Sequence, residues 1–226
     1  MLNTHKILYD EMQTIKKLLL KKEIPDEYPE NISKVEYRSA SDIYYIDRFD
    51  FANISSFALV TKKLAKRLAE YIGDRECLEI MAGKGVLSKC LSDCGVKITA
   101  TDDFSWKWHR SRERKGGAAA KGDELWYDVE NIDCVEAIEK YWRRAGFVIC
   151  SWPPYEKDYL YKSLIKMRES NDECKLIYIG EGPGGCTADS SFFNEAKFIL
   201  NDDGFNGIKK IYQSWYAMND EIFLIE

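Results

Sequence analysis

The stretch Cys77-Leu-Glu-Ile-Met-Ala-Gly-Lys-Gly-Val-Leu-Ser-Lys-Cys90 restricts the fold more than any other part of this chain. An apolar run of strand type meets an acid and a paired-glycine turn. The turn opens at once into a helical pattern that places Leu87, Cys90, Leu91 and Cys94 on one side. Gly95 stops that helix, and a second strand-like run, Val96-Lys-Ile-Thr-Ala-Thr101, follows. Strand, helix and strand joined this tightly form a unit whose strands pair in parallel, with the helix laid across them.

The alternation continues downstream. The pattern predicts strands over 76–81, 96–101, 124–128, 147–151 and 175–180. It predicts helices over 86–94, 133–144 and 158–168, and a short basic helix over 106–115. Segments 208–216 and 221–226 read as a closing hairpin around Asn219-Asp220. Upstream, residues 5–23 place Leu8, Met12, Ile15 and Leu19 on one helical face, and 56–72 do the same with Val60, Leu64, Leu68 and Tyr71. Pro25, Pro29 and Asn31 mark an irregular connection, and residues 39–51, rich in Tyr and Asp, fit no element. Residues 1–55 therefore read as an N-terminal helical extension, and 56–226 as one α/β domain with a mostly parallel sheet and helices on both faces. In such a sheet, ligands sit outside the carboxyl ends of the strands.

Composition excludes several classes. A chain of 226 residues with 45% hydrophobic content fits one soluble domain, and its formal charge of −5 argues against general affinity for nucleic acid. No apolar run nears the ~18 residues of a membrane span, and the start lacks the pattern of a signal peptide. The seven cysteines include no C-x-x-C pair, and the only histidines are His5 and His109. Reduced thiols in a cytoplasmic protein without metal are the expectation.

The suspicious residues all fall at predicted strand ends. Glu79, Gly83 and Gly85 form E-x-x-x-G-x-G, with Met81 and Ala82 leading into the turn. Asp102 ends the next strand, seventeen residues beyond Gly85, where it can accept both hydroxyls of a ribose. Phe147-Val-Ile-Cys-Ser-Trp-Pro-Pro-Tyr155 is a buried strand running into a rigid proline turn. Together these motifs resemble the class I S-adenosylmethionine-dependent methyltransferases, over roughly residues 56–226.

The resemblance implies a Rossmann-like sheet of seven strands with an antiparallel C-terminal hairpin. It implies S-adenosylmethionine as cofactor, held by Glu79, Met81, Ala82, Gly83, Gly85 and Asp102. Asp103 or Phe104 would border the adenine, and Asp128 would face its amino group. The family's third glycine is Leu87 here. Ser151, Trp152, Pro153, Pro154 and Tyr155 would lie beside the methyl donor, with Tyr155 stacked on a planar acceptor. The glycine-rich loop 180–187 would cross the mouth and aim Glu181 at the substrate. Family members that methylate amines carry Asn, Asp or Ser directly before Pro-Pro. Trp152 stands there instead, and an indole donates but does not accept hydrogen bonds.

A small molecule or peptide side chain is the favoured acceptor. The alternatives are a nucleic acid met through the basic, tryptophan-containing segment 106–117, a nicotinamide-dependent oxidoreductase, and a catalytically silent binding protein. Glu79 speaks against the oxidoreductase, because an acid at that turn repels a pyrophosphate.

Overall fold

The computed structural model describes residues 2–34, 44–105 and 124–226. The expected basic helix and the nucleic-acid contact over 106–117 lie outside them. Helix α1 (Leu2–Leu19) turns Leu8, Met12, Ile15 and Leu19 inward, the face its periodicity predicted. Helix α2 (Arg48–Ile54) begins at Asp47, whose carboxylate accepts the Phe49 N–H. Helix α3 (Lys62–Ile72) starts six residues later than expected. Thr61 caps it by accepting the Leu64 N–H at 3.0 Å, and residues 56–60 approach it without helical geometry.

The described residues contain six strands in one sheet: β1 (Glu76–Glu79), β2 (Ile98–Asp102), β3 (Val129–Asn131), β4 (Ala145–Ser151), β5 (Lys175–Glu181) and β6 (Asp220–Ile225). Their order is β3-β2-β1-β4-β5-β6, parallel except for β6, which runs antiparallel to β5. Between them lie α4 (Val86–Asp93), α5 (Cys134–Tyr141), α6 (Tyr159–Ser170), α7 (Ser190–Glu195) and α8 (Asp203–Lys209). Successive side chains of the central strands alternate between two cores. Phe147, Ile149, Ile177 and Ile179 join the core under α1, α3, α4 and α8. Val148, Cys150, Leu176 and Tyr178 join the one under α5, α6 and α7. Both faces are covered, which is why these strands read as continuous apolar runs. The residues of α1 and α2 pack into the first of these cores, so the N-terminal segment shares a core with the sheet.

Among the described residues the sheet has six strands rather than the expected seven; the expected antiparallel strand at 221–226 is β6, but it pairs with β5 and not with 208–216. Residues 208–216 form no strand. Asp202 caps α8 by accepting the Phe205 N–H at 2.9 Å, and Phe205 and Ile208 are buried at helical spacing. A seventh strand survives only as a bridge between Phe198 and Ile225. The third strand is also displaced. It is Val129–Asn131, not 124–128, because that earlier segment is bound by the glycine turn: the Trp126 N–H donates to Lys84 O at 2.8 Å.

All seven cysteines are free thiols; Cys94 and Cys186 are exposed and the other five buried. Burial pushes Cys77 and Cys90 up to about 12. Among the described residues no group of three His, Cys, Asp or Glu is placed to hold a metal, and no helix is long and apolar enough to cross a membrane.

Candidate active site

The chain leaves β1 toward β2 and β3, then returns on the other side of β1 as β4. That reversal opens a crevice at the carboxyl ends of β1 and β4. A cavity of about 470 Å³ occupies it. Three strand ends build its floor. Register aligns Glu79 of β1 with Ala100 of β2 and Ile149 of β4, so Asp102 and Ser151 stand just above Glu79 in the neighbouring strands.

Glu79 is buried and is held by the first turn of α4. Its Oε2 accepts the Ser88 N–H at 3.0 Å and the Ser88 hydroxyl. Burial raises its pKa to about 7; the Ser88 bonds oppose the rise and the Asp102 charge adds to it. Asp102 is also buried, and its two oxygens accept the Gly83 N–H at 2.7 Å and the Phe104 N–H at 2.6 Å. The backbone amides of the turn are thus aimed at carboxylates.

Glu79, Met81, Ala82, Gly83, Asp102 and Asp103 all line the cavity. Gly85 does not; it caps α4 in a left-handed conformation, φ 71°, beneath the turn. Phe104 is half-buried behind the lining, and Asp128 is exposed and away from it. The acid that reaches the cavity from the third strand is Asp133, because β3 ends later than expected: its Asn131 pairs with Asp102. Asp133 also caps α5, accepting the Val135 N–H at 2.8 Å. Its sequence signal was the capping pattern Asp133-x-x-Glu136 before an apolar helix face.

At the end of β4, Ser151, Trp152 and Pro154 line the cavity, while Pro153 is buried elsewhere. Tyr155 is 53% exposed and outside the lining. The prolines carry the chain outward, and the Glu156 N–H is tied to Ala188 O at 2.9 Å. The expected stacking role of Tyr155 therefore finds no counterpart in the cavity. The aromatic surface there comes from Trp152, Phe57 and Tyr159.

Trp152 is fixed from three sides. Its N–H donates to Ile179 O at 2.7 Å, its indole N–H to Asp220 at 3.4 Å, and its ring stacks on Phe57 with centroids 5.5 Å apart. These contacts hold it at φ 55°. Met81 (φ 52°) and Phe104 (φ 56°) are left-handed in the same way. Three of the seven described non-glycine residues at positive φ thus follow β1, β2 and β4, the strand ends that border the cavity.

Glu181 stays out of the cavity. Its Oε1 accepts the Asn219 N–H at 3.0 Å and its Oε2 the Cys186 N–H at 2.7 Å. Burial pushes its pKa up, but these amides and nearby Arg48 outweigh that and hold it below the usual range. Together with the Tyr178 hydroxyl, which donates to Glu181 O at 2.7 Å, it knots the glycine-rich loop into a buttress behind Trp152. A carboxylate with a depressed folded pKa stabilises above its unfolded pKa, and that stability fades as pH falls through the folded value. Glu181→Gln should therefore lower stability at pH 7 by about 1.5–3 kcal/mol, and that loss should shrink as the solution is made acid enough to protonate Glu181 in the folded protein. A loss in chemical denaturation that stays constant as pH is lowered would contradict this ion's role.

The roof was not visible in the sequence. Helix α2 and the residues after it supply Ala52, Ser55, Ser56 and Phe57 to the cavity. The body of the fold grips this segment by its carbonyls. Lys84 Nζ donates to Asn53 O, the Trp126 indole to Ile54 O at 3.0 Å, and the Trp215 indole to Phe57 O at 3.2 Å.

No protein-family model matches the chain, and no curated protein matches it in sequence. Solved structures align with it at low identity. A SAM dependent methyltransferase from Archaeoglobus fulgidus shares 14% identity over 81% of this chain and 99% of its own, with a TM-score of 0.44. A ribosomal protein L11 methylase from Lactobacillus delbrueckii subsp. bulgaricus shares 12% over 72% and 76%, with a TM-score of 0.41. Magnesium protoporphyrin IX methyltransferase from Synechocystis PCC 6803, with bound SAM, shares 12% over 72% and 74%, with a TM-score of 0.42.

Proposed function

We propose that this protein is an S-adenosylmethionine-dependent methyltransferase acting on a small molecule or a peptide side chain. One observation carries the proposal: the amides of the glycine turn and of the first turn of α4 are directed at Glu79 and Asp102. In a dinucleotide enzyme the same helix start holds a pyrophosphate. Here a buried carboxyl group has taken the Ser88 amide, and a second negative group beside it would be repelled. A cofactor with a cationic end is favoured by the same arrangement.

The donor set fits S-adenosylmethionine. The Asp102 carboxylate, which already accepts the Gly83 and Phe104 amides at the end of β2, would also take the ribose hydroxyls. Asp133 would take the adenine amino group, the role the sequence had given to Asp128. Ala82, Gly83 and Glu79 would border the amino-acid end. When bound, the cofactor supplies a methyl group on a positively charged sulfur. The protein's part is then mostly positioning, which accounts for a large share of the rate in such reactions. Trp152 offers the acceptor molecule a flat face and no hydrogen-bonding group, since an indole cannot accept and its N–H is turned to Asp220.

Calorimetry with S-adenosylhomocysteine tests this reading through Glu79. Burial raises the folded pKa well above the usual 4.5, to about 7, so at pH 6.5 a substantial share of Glu79 carries its proton. A cationic ammonium arriving nearby favours the ionised form, and binding should release a proton. The measured enthalpy at pH 6.5 should therefore change with the buffer's ionisation enthalpy, and the dependence should vanish in Glu79→Gln. NAD should not bind. Binding of NAD in preference to S-adenosylhomocysteine would overturn the assignment.

A further inference from the structure

We infer that the acceptor is a flat, ring-bearing molecule without negative charge, received on the aromatic wall formed by Trp152, Phe57 and Tyr159. This rests on the methyl-transfer reading of the same cavity. The wall leads from the cavity to the surface. Trp152 stacks on Phe57 at an interplanar angle of 22°, and Phe57 meets Phe49 edge-on with centroids 6.2 Å apart. Phe57 is 37% exposed, Phe49 51% and Tyr159 40%. These rings count among the most exposed large apolar side chains described, and they gather at one opening. An apolar patch concentrated at a cavity mouth marks where a ligand's own apolar face lands.

The wall is also rigid. Trp152 is held at positive φ by the Ile179 carbonyl, and its indole N–H is held by Asp220, which in turn accepts the Tyr212 hydroxyl. A ring fixed this way loses little freedom when a second ring packs beside it. Charge narrows the choice further. With Glu79, Asp102 and Asp133 assigned to the cofactor, Asp103 is the carboxylate that the described lining leaves for the acceptor, and the lining's single ammonium, that of Lys84, donates to the Asn53 carbonyl. Asp103 and Asp133 are exposed at the mouth. Phosphates and carboxylates are repelled there, and a neutral or cationic ring is drawn in and can stack.

The test uses three probes on the full chain, by calorimetry, with S-adenosylhomocysteine already saturating. Tryptamine carries a ring and a cation, indole-3-acetate the ring with an anion, and hexylamine the cation without a ring. Tryptamine should bind about ten-fold tighter than either of the others. Phe57→Leu should remove most of that advantage and leave hexylamine unchanged. Tyr159→Leu, in the same wall, should do the same if the first variant folds poorly. If S-adenosylhomocysteine binds but the three probes are equal, or indole-3-acetate is preferred, the acceptor inference is overturned and the methyltransferase reading stands. If S-adenosylhomocysteine itself fails to bind, both fall.

Discussion

Asp102→Ala is expected to weaken S-adenosylhomocysteine binding by about 1.5–3 kcal/mol, the range for hydrogen bonds to a charged group. That is roughly a ten- to hundred-fold rise in Kd. Two effects combine. The ribose loses its acceptor, and the Gly83 and Phe104 amides lose the carboxylate that orders their loops before the ligand arrives. Asp102→Asn separates them, because it keeps an oxygen for one amide while removing the charge. Its loss should be smaller than that of Asp102→Ala, and titration calorimetry on the pair measures the difference. Unchanged affinity in both variants would remove Asp102 from the cofactor site.

Gly85→Ala should be the most destabilising of the glycine substitutions in the turn. Gly85 sits at φ 71°, where a side chain costs about 1–2 kcal/mol. An added Cβ would also lie 2.8 Å from Tyr127 Cβ and 2.9 Å from Val129 Cγ2. Neither neighbour can move freely, since Val129 belongs to β3 and the adjoining Trp126 amide is bonded to the turn. Overpacking of this kind adds about 1–3 kcal/mol. The sum of about 2–5 kcal/mol corresponds to a fall in Tm on the order of 5–15 °C. Gly83→Ala is the internal control. It shares the positive φ, at 58°, but its Cβ would meet nothing within 4 Å. Its thermal loss should be the smaller one, with the greater damage to ligand binding, because Gly83 lines the cavity. Equal melting temperatures for the two variants would refute the packing argument.

The parts of this molecule that were legible from sequence are those with a strong period or a fixed backbone demand. Helix α1 showed its inward face because four apolar residues recur at helical spacing. The turn from Glu79 to Gly85 showed itself through its paired glycines, both of which stand at positive φ. Strands β4 and β5, buried on both faces, read as plain apolar runs. What stayed hidden depends on contacts between distant residues. Strand β3 has three residues, too few for a pattern, so the strand was expected over 124–128 and Asp128 at its end. The segment around Ile208 has β-branched and aromatic residues that suit a strand, but Asp202 captures its amides and starts a helix. The loop after β5 looked open from its glycines, yet Gly180 leaves room for the Tyr178 hydroxyl, and Glu181 binds the loop's own amides. Two prolines announced a rigid turn after Ser151 but not its direction, which sends Tyr155 outward and leaves Trp152 facing the cavity. The roof from α2 has no signature at all, since its carbonyls are gripped by side chains as far off as Trp215.

Hydrogen–deuterium exchange with and without S-adenosylhomocysteine tests the central claim most directly, because it reports where the ligand binds as well as whether it does. Protection should concentrate in peptides covering 79–88, 102–105 and 131–135, the three strand ends that meet at the crevice, and extend to 52–57 in the roof. Protection confined to other parts of the sheet, or none at saturating ligand, would contradict a cofactor site at the carboxyl ends of β1, β2 and β3.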